Sequence, residues 1–175
     1  YMSEEYQWIE NIASGDEQAL RKIYDMYANR VFNTTLSFTK NEEDAEELMQ
    51  DVFMAIINAA VNFRQQSSVS TWIYRLAVNK SLDFLRKKNS QKRAGFFTSI
   101  YKNNSTEILH ESVDFIHPGV KLENSEDSRL LFKALDTLSD NQKTVFILTQ
   151  IEGLPQKEVG DILKTSRKSV ESLLK

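Results

Sequence analysis

The 175-residue chain is 41% hydrophobic and 27% charged, a normal composition for a folded protein of one ordinary domain or two small ones. It has no cysteine and two histidines, so disulfides and thiolate zinc sites are excluded, and no metal or other cofactor is expected. Neither a long apolar run nor the basic-then-apolar order of a signal peptide is present, which predicts a cytoplasmic protein.

The formal net charge of −3 conceals a segregation of charge along the chain. Every charged residue between positions 41 and 51 is acidic, whereas between positions 64 and 93 Asp83 is the only acidic residue among many lysines and arginines. We therefore expect one surface that repels phosphate and another that attracts it.

Glycine and proline are scarce, and apolar residues recur three and four positions apart, which predicts an all-α fold. Asp16 is suited to cap one helix, and Asn41 the next. The helix after Asn41 has an apolar stripe that leaves Glu43, Glu47 and Gln50 together on the outer side. This acidic face is either a docking surface for a basic protein or simply a solvated surface.

A third helix is predicted from about residue 70 to about residue 88. Its polar, cationic front contains Trp72, Arg75, Asn79, Asp83 and Arg86. Its opposite side is apolar and contains Ile73, Tyr74, Ala77, Val78, Phe84 and Leu85. A tryptophan ring beside guanidinium groups provides the stacking surface and the positive charge that single-stranded DNA requires.

The polar loop before this helix, residues 64–68, is suited to hold a base that has left the stack, because its side chains can hydrogen-bond an exposed base edge. A solvated basic helix with Trp72 packed on its neighbours is the alternative. Residues 92–126 lack a sustained period and predict an irregular linker between two small helical domains, residues 2–91 and 127–175.

The second domain begins with a short leucine-rich helix. Ser139 and Gln142 then form a capping-box pattern that predicts the start of a helix. Gly153 is expected to end that helix. The next helix, residues 157–163, contains Gly160, which is expected where the backbone of another helix approaches closely. The last helix opens at about Arg167.

These last two helices match a helix-turn-helix, in which the second helix enters the major groove. The residues that would then face DNA are Arg167, Lys168, Ser169, Glu171, Ser172 and Lys175. Plain packing of two helices is the alternative.

Taken in order, these segments resemble the extracytoplasmic-function (ECF) sigma factors of the sigma-70 superfamily across almost the whole chain. Two runs support the likeness. They are residues 44–53, DAEELMQDVF, and residues 70–79, STWIYRLAVN, with DFLR at 83–86.

The resemblance implies a transcription initiation subunit with no catalytic residues. Its acidic helix would bind the beta-prime clamp of core RNA polymerase through Glu47, Gln50 and Asp51. The loop and helix that follow would melt the promoter minus-ten element and hold its non-template single strand. The matching residues are Arg64, Gln65, Gln66, Ser67, Trp72, Arg75, Asn79, Lys80, Arg86 and Lys87.

The resemblance further implies that the helix-turn-helix reads the duplex minus-thirty-five element and lies near the polymerase beta flap. The matching positions are Ser166, Arg167, Lys168, Ser169, Glu171, Ser172 and Lys175. Glu171 departs from the family pattern, because it would repel phosphate, although it could accept from a cytosine amino group. An anti-sigma factor is also implied, and the recognition helix is expected to continue beyond Lys175.

Two other classes of function remain open at this stage. A helix-turn-helix regulator that acts without replacing a sigma factor would bind duplex DNA alone. An enzyme has little support, because the sequence shows no phosphate-binding glycine loop, no metal cluster and no nucleophile with an evident base.

Overall fold

The computed structural model describes the backbone of residues 4–101 and 125–175, and the side chains there except those of residues 92–101, 125 and 128. The regular elements in these ranges are all helical, which confirms the predicted all-α class. They are α1 (Glu4–Ala13), α2 (Glu17–Thr39), α3 (Glu42–Ala59), a 3-10 turn (Ala60–Asn62), α4 (Val69–Tyr101), α5 (Ser125–Leu135), α6 (Asp140–Phe146), a π-helical turn (Ile147–Ile151), α7 (Gln156–Leu163) and α8 (Arg167–Leu173).

The predicted helix starts are confirmed by their hydrogen bonds. The Asp16 carboxylate accepts from the amides of Gln18 and Ala19 at 2.8 and 3.2 Å, and the Asn41 side chain accepts from the Asp44 amide at 2.9 Å. Ser139 and Gln142 form the reciprocal capping box. Each cap satisfies amides that a helix leaves unpaired in its first turn.

Helix α1 was not predicted. Its Ile9 and Ile12 are buried against the neighbouring helices, and Tyr6 and Trp8 pack at the edge of the same core. The signal was a short spacing of apolar residues ahead of Asp16. It is weak because only ten residues carry it.

Helix α4 is longer than predicted. It continues to Tyr101, so the first ten residues of the segment 92–126 are helical rather than irregular. This part of the chain has no proline and one glycine, Gly95, so a helix can extend through it. The rest of the predicted linker up to residue 124 lies outside the described residues.

Helices α1–α4 form an N-terminal unit with its own core. Ile23 and Val31 of α2, Val52 and Ile56 of α3, and Ile73 of α4 are at most 2% exposed there. No helix in the described ranges is apolar over enough length to cross a membrane.

Helices α5–α8 form a C-terminal unit that shares apolar clusters with the N-terminal one. Leu36 of α2 is buried with Phe132 and Leu135 of α5. A larger cluster joins Phe38, Tyr74 and Val78 to residues of the C-terminal unit. Those partners include Val145, Ile147, Leu148, Val159, Ile162 and Val170. The two units therefore pack directly on each other through buried side chains.

Candidate polymerase and nucleic-acid interfaces

The acidic face of α3 is fully available to a partner. Buried Ala45, Leu48, Val52 and Ile56 hold the helix on the core. This orientation leaves the predicted residues Glu47, Gln50 and Asp51 exposed, together with Glu43. The periodicity therefore assigned the outward face of α3 correctly.

A groove between α2 and α3 adjoins this acidic face. It has a volume of about 290 Å³. Its walls combine apolar and polar side chains, namely Tyr24, Ala28, Asn29, Phe32, Glu46, Met49 and Gln50. Tyr24 is 42% exposed, which is high for a tyrosine in contact with Phe53 at a ring distance of 4.7 Å. An acidic, partly apolar surface of this kind fits a basic amphipathic segment better than nucleic acid.

The loop before α4 is held by the unpredicted helix α1. The Tyr6 hydroxyl donates to the Ser67 carbonyl at 3.1 Å, and the Gln65 amide donates to the Glu10 carboxylate at 3.0 Å. Gln65 itself has a left-handed backbone with φ of 54°. The loop therefore has a defined shape, and Arg64, Gln65 and Gln66 remain exposed on it.

An aromatic row connects this loop to the start of α4. The rings of Tyr6 and Phe63 lie 5.8 Å apart, and those of Phe63 and Trp72 lie 4.7 Å apart. Ser68 caps the helix, because its hydroxyl accepts from the Thr71 amide at 3.0 Å. Trp72 is consequently half-buried and packs on the N-terminal core, so only part of its ring is open to a base.

The predicted front of α4 is divided by exposure. Asn79, Arg86 and Lys87 are exposed, whereas Arg75 and Lys80 are half-buried. Of the apolar side, Ile73 and Ala77 enter the N-terminal core, and Tyr74 and Val78 enter the cluster shared with the C-terminal unit. Helix α4 thus contributes buried side chains to the N-terminal core and to the cluster shared with the C-terminal unit.

Two predicted DNA-binding arginines contact the C-terminal unit. Nε of Arg75 donates to the carbonyls of Asp161 and Ile162 at 3.2 and 3.1 Å, and its Nη2 also donates to Asp161. Nε of Arg86 lies 3.9 Å from an Asp140 carboxylate oxygen, while Nη1 bonds Asp83 at 3.2 Å. Sequence spacing could not reveal these contacts, since 86 residues separate Arg75 from Asp161.

A third charged contact also joins the two units. Lys40, at the left-handed C-terminal end of α2, is paired with the carboxylate of Asp136. The same carboxylate lies 3.4 Å from the ammonium group of Lys143. Asp136 is thus shared between a cation of each unit.

A buried carboxyl lies at the contact between the units. Burial raises the pKa of Glu152 from its ordinary value of 4.5 to about 7, and Thr34 and Arg30 of α2 partly oppose the shift. One of its oxygens has no hydrogen-bond partner. Glu152 in turn contributes to raising the pKa of Tyr74 on α4 to about 12, although burial is the larger cause.

Helices α7 and α8 form a tight helix-turn-helix. Lys164 has a left-handed φ of 53°, and the Thr165 amide donates to the Gly160 carbonyl at 2.8 Å. A methyl group on Gly160 would meet the Thr165 carbonyl oxygen at 2.9 Å and the Arg167 nitrogen at 3.4 Å. A backbone does approach Gly160 closely, as predicted. It is the backbone of the turn between α7 and α8, however, and not that of a neighbouring helix.

The recognition helix α8 presents one polar face. Val170 is fully buried and anchors it, while the predicted residues point outward. All of these are exposed, namely Ser166, Arg167, Lys168, Ser169, Glu171, Ser172 and Lys175. Ser166 caps the helix by accepting from the Ser169 amide at 3.1 Å, and the two hydroxyl groups are bonded to each other at 2.9 Å. The hydroxyl groups of both serines therefore form hydrogen bonds at the N-terminus of α8.

Metal ligands do not cluster anywhere in the described ranges, where no group of three or more His, Asp or Glu side chains could hold an ion. The two histidines, His110 and His117, lie outside the described residues. The candidate binding sites in the described ranges are therefore the acidic surface on α3 and the cationic surfaces on α4 and α8.

Comparisons with known proteins agree with this division. The sigma-70 region 2 family matches residues 23–91, and the sigma-70 region 4 family matches residues 128–175. The chain thus has the two conserved regions of a sigma-70 protein, one in each helical unit. It belongs to the extracytoplasmic-function group of RNA polymerase sigma factors.

Two relatives from Bacillus subtilis illustrate the likeness. The RNA polymerase sigma factor YlaC is 27% identical over 157 residues, which cover 89% of this chain and 86% of the relative. The ECF RNA polymerase sigma factor SigW is also 27% identical, over 89% of this chain and 82% of its own.

Solved structures show the same fold. CnrH in complex with the cytosolic domain of CnrY matches with a TM-score of 0.68 and 20% identity, over 98% of this chain and 90% of the other. The sigma factor RpoE, in complex with the anti-sigma factor NepR from Bartonella quintana, matches with a TM-score of 0.63 and 18% identity, over 88% of each chain.

Proposed function

We propose that this sigma factor binds core RNA polymerase through the acidic face of α3, holds the melted minus-ten strand with the loop 64–68 and α4, and reads the minus-thirty-five element with α8. The observation that supports this most directly is the separation of charge between these exposed faces. Such a protein uses binding free energy to open duplex DNA and forms no covalent intermediate.

The polymerase contact combines charge with apolar area. Glu47, Gln50 and Asp51 are exposed in a row on α3, and the α2–α3 groove offers Tyr24 and Met49 beside them. Complementary charge accelerates association with a basic partner, and apolar contacts slow dissociation. The partner that fits is a basic amphipathic helix, such as the coiled coil of the beta-prime clamp that the family resemblance implies.

The minus-ten contact uses two structures with different tasks. The loop has a shape fixed by α1, and its exposed Arg64, Gln65 and Gln66 can bond the edge of a base turned out of the duplex. On α4, exposed Asn79, Arg86 and Lys87 are placed to bind the strand that follows. The open part of the Trp72 ring supplies the stacking contact.

The minus-thirty-five contact relies on the N-terminal half of α8. Arg167 and Lys168 are exposed there and suit phosphate or guanine edges. Glu171 lies one turn further along, where a carboxylate is excluded from phosphate contacts but can accept from cytosine. The proposal therefore assigns Glu171 to base reading and Arg167 and Lys168 to affinity.

An anti-sigma factor is proposed as a second protein partner. RpoE was crystallised in complex with the anti-sigma factor NepR, and it shares this fold over 88% of the chain. Such a partner would have to compete with DNA or polymerase for the surfaces described above.

Run-off transcription with core polymerase over a promoter library tests the proposal. We expect a subset of promoters to give transcripts only when the full chain is added. If no promoter gains a transcript while the chain alone shifts duplex DNA, a helix-turn-helix regulator is the correct function instead.

A further inference from the structure

We propose that Glu10 of α1 is a positioning residue for base selection by the loop 64–68. Through Gln65 it makes the loop prefer a base with an amino group, adenine or cytosine, over the keto bases guanine and thymine. The inference names the class of base that the loop takes and therefore rests on the proposed function. It is based on the hydrogen bond between these two side chains, in which Gln65 Nε2 lies 3.0 Å from Glu10 Oε1.

This hydrogen bond decides which end of the Gln65 amide faces the strand. An ionised carboxylate only accepts hydrogen bonds, so the nitrogen of the amide has to face Glu10. The carbonyl oxygen is the other branch of the same planar group and is left to accept from a ligand. A glutamine without such a partner can turn its amide by half a rotation and offer either atom.

Helix α1 holds the carboxylate in a fixed place. Ile9 is fully buried in the N-terminal core, and Glu5 accepts a hydrogen bond from the Tyr27 hydroxyl of α2 at 2.9 Å. Tyr6 lies one turn before Glu10 and bonds the backbone of the loop at 3.1 Å. Two side chains of one face of α1 therefore join the loop, and one of them is the carboxylate that turns the amide.

The backbone of Gln65 restricts the other end of its side chain. Its φ of 54° is in the left-handed region, which a residue with a side chain rarely adopts and which limits the directions in which that side chain leaves the loop. Gln65 is exposed, so its amide lies at the surface where a base would bind. The side chain is thus constrained at its start by the backbone and at its tip by Glu10.

An oxygen in this position distinguishes bases by one substituent. Adenine and cytosine have an amino group at C6 and C4, where guanine and thymine have a keto oxygen. The Gln65 oxygen accepts from the amino group, whereas a keto oxygen would place two acceptors together. Turning the amide around would relieve that repulsion, but it would break the bond to Glu10 and bring the Gln65 oxygen against the carboxylate.

The selecting carboxylate lies outside the part of the chain that matches sigma-70 region 2. That match begins at residue 23 and includes the loop, whereas Glu10 precedes it. A substitution at position 10 would therefore alter the choice of base while region 2 stays unchanged.

Binding of the holoenzyme to forked promoter DNA tests the inference. The promoter is one that gives a transcript in the run-off library, and its non-template minus-ten strand is left single-stranded and varied to A, C, G and T at each position in turn. Glu10→Ala removes the carboxylate. Exchange of the pair, Glu10→Gln with Gln65→Glu, restores the hydrogen bond and again turns an oxygen to the strand. Glu4→Ala removes another exposed carboxylate of α1 and is the matched control.

We expect one position at which A and C bind the natural holoenzyme about tenfold more tightly than G and T. Glu10→Ala should abolish most of this preference there, the exchanged pair should restore it, and Glu4→Ala should leave it unchanged. An analogue of the preferred base that lacks the amino group, purine or 2-pyrimidinone, should lose the advantage with the natural chain.

The affinity of each variant for core polymerase, measured by fluorescence anisotropy, shows that the variant is folded. The inference is overturned if no position prefers A and C, if the preference persists in Glu10→Ala, or if a folded Glu10→Ala loses affinity equally for all four bases. Failure of the exchanged pair to restore the preference also overturns it. If the natural holoenzyme neither binds the forked DNA nor gives a transcript from any promoter, the proposed function fails as well.

Discussion

The acidic face of α3 and the cationic front of α4 lie on neighbouring helices of one unit, yet they differ in what covers them. Glu47, Gln50 and Asp51 are exposed, whereas Arg75 is bonded to the C-terminal unit and Trp72 is half-buried. In the free chain the surface proposed for polymerase is thus ready, and the surface proposed for DNA is partly occupied. The difference suggests an order of events in which polymerase binds first and the promoter strand follows.

The contact between the units includes the buried carboxyl of Glu152, whose ionisation is expected to change its stability. Below about pH 4.5 the carboxyl is neutral in the folded and the unfolded chain, and the folded state loses stability as the pH rises from there to the folded pKa of about 7. The loss is up to about 3 kcal/mol. Arg30 and Thr34 face Glu152 from α2, Tyr74 faces it from α4, and Glu158 of α7 acts on the same tyrosine.

We therefore expect Glu152→Gln to be more stable than the natural chain at pH 8 and nearly equal to it at pH 4. Urea denaturation at the two pH values measures this. Glu171→Gln, on the exposed face of α8, is the control. An unchanged pH slope in Glu152→Gln would show that the carboxyl is not buried by the contact.

Substitutions on the α4 front should affect promoter opening and not polymerase binding. Stacking of one base on an aromatic ring contributes about 1–3 kcal/mol, so Trp72→Ala should weaken open-complex formation roughly fivefold to a hundredfold, and Asn79→Ala by less. Permanganate footprinting measures opening, and fluorescence anisotropy measures the affinity for core polymerase. Trp72→Phe keeps an aromatic ring on Phe63 and is the control for packing. An equal loss of core affinity in both alanine variants would contradict the assignment of the two faces.

Charge reversal on α3 should have the opposite pattern. Glu47→Lys with Asp51→Lys should lower the affinity for core polymerase by about tenfold, because it places like charges against a basic partner. Binding of single-stranded DNA should not fall. Glu17→Lys, at the exposed start of α2, is a control that reverses one charge outside this face. The assignment is wrong if the Glu47 and Asp51 variant keeps full core affinity.

The smallest effect is expected at the support of the loop. Tyr6→Phe removes the hydroxyl that bonds the Ser67 carbonyl and keeps the ring on Phe63. The loss is about 1 kcal/mol of stability, and binding of single-stranded DNA should fall only a few-fold. Thermal denaturation and a binding titration measure the two effects, with Tyr24→Phe as the control. Stability and DNA affinity both equal to those of the natural chain would show that α1 does not position the loop.

Sequence periodicity predicted which residues share a face and where helices begin. Asp16, Asn41 and Ser139 cap as expected, because a cap depends on a few neighbouring residues. The outward residues of α3 and α8 were also assigned correctly, since one buried stripe fixes the opposite side of a helix.

Contacts between distant parts of the chain could not be obtained in this way. Nothing in the residues around Arg75 indicates that it bonds to carbonyls 86 residues away. The support of the loop by Tyr6 and Glu10 was missed for the same reason. The additional length of α4 was missed because the polar stretch at residues 87–93 interrupts the apolar periodicity of the helix.

The sharing of apolar clusters between the units also has a consequence during synthesis. Phe38 leaves the ribosome long before Val145 and Val170, which belong to the same buried cluster in the folded chain. At about 5–20 residues per second, this part of the N-terminal unit stays uncovered for on the order of ten seconds. The nascent chain thus presents an apolar patch to chaperones, or to any protein able to bind it, before its own C-terminal unit exists.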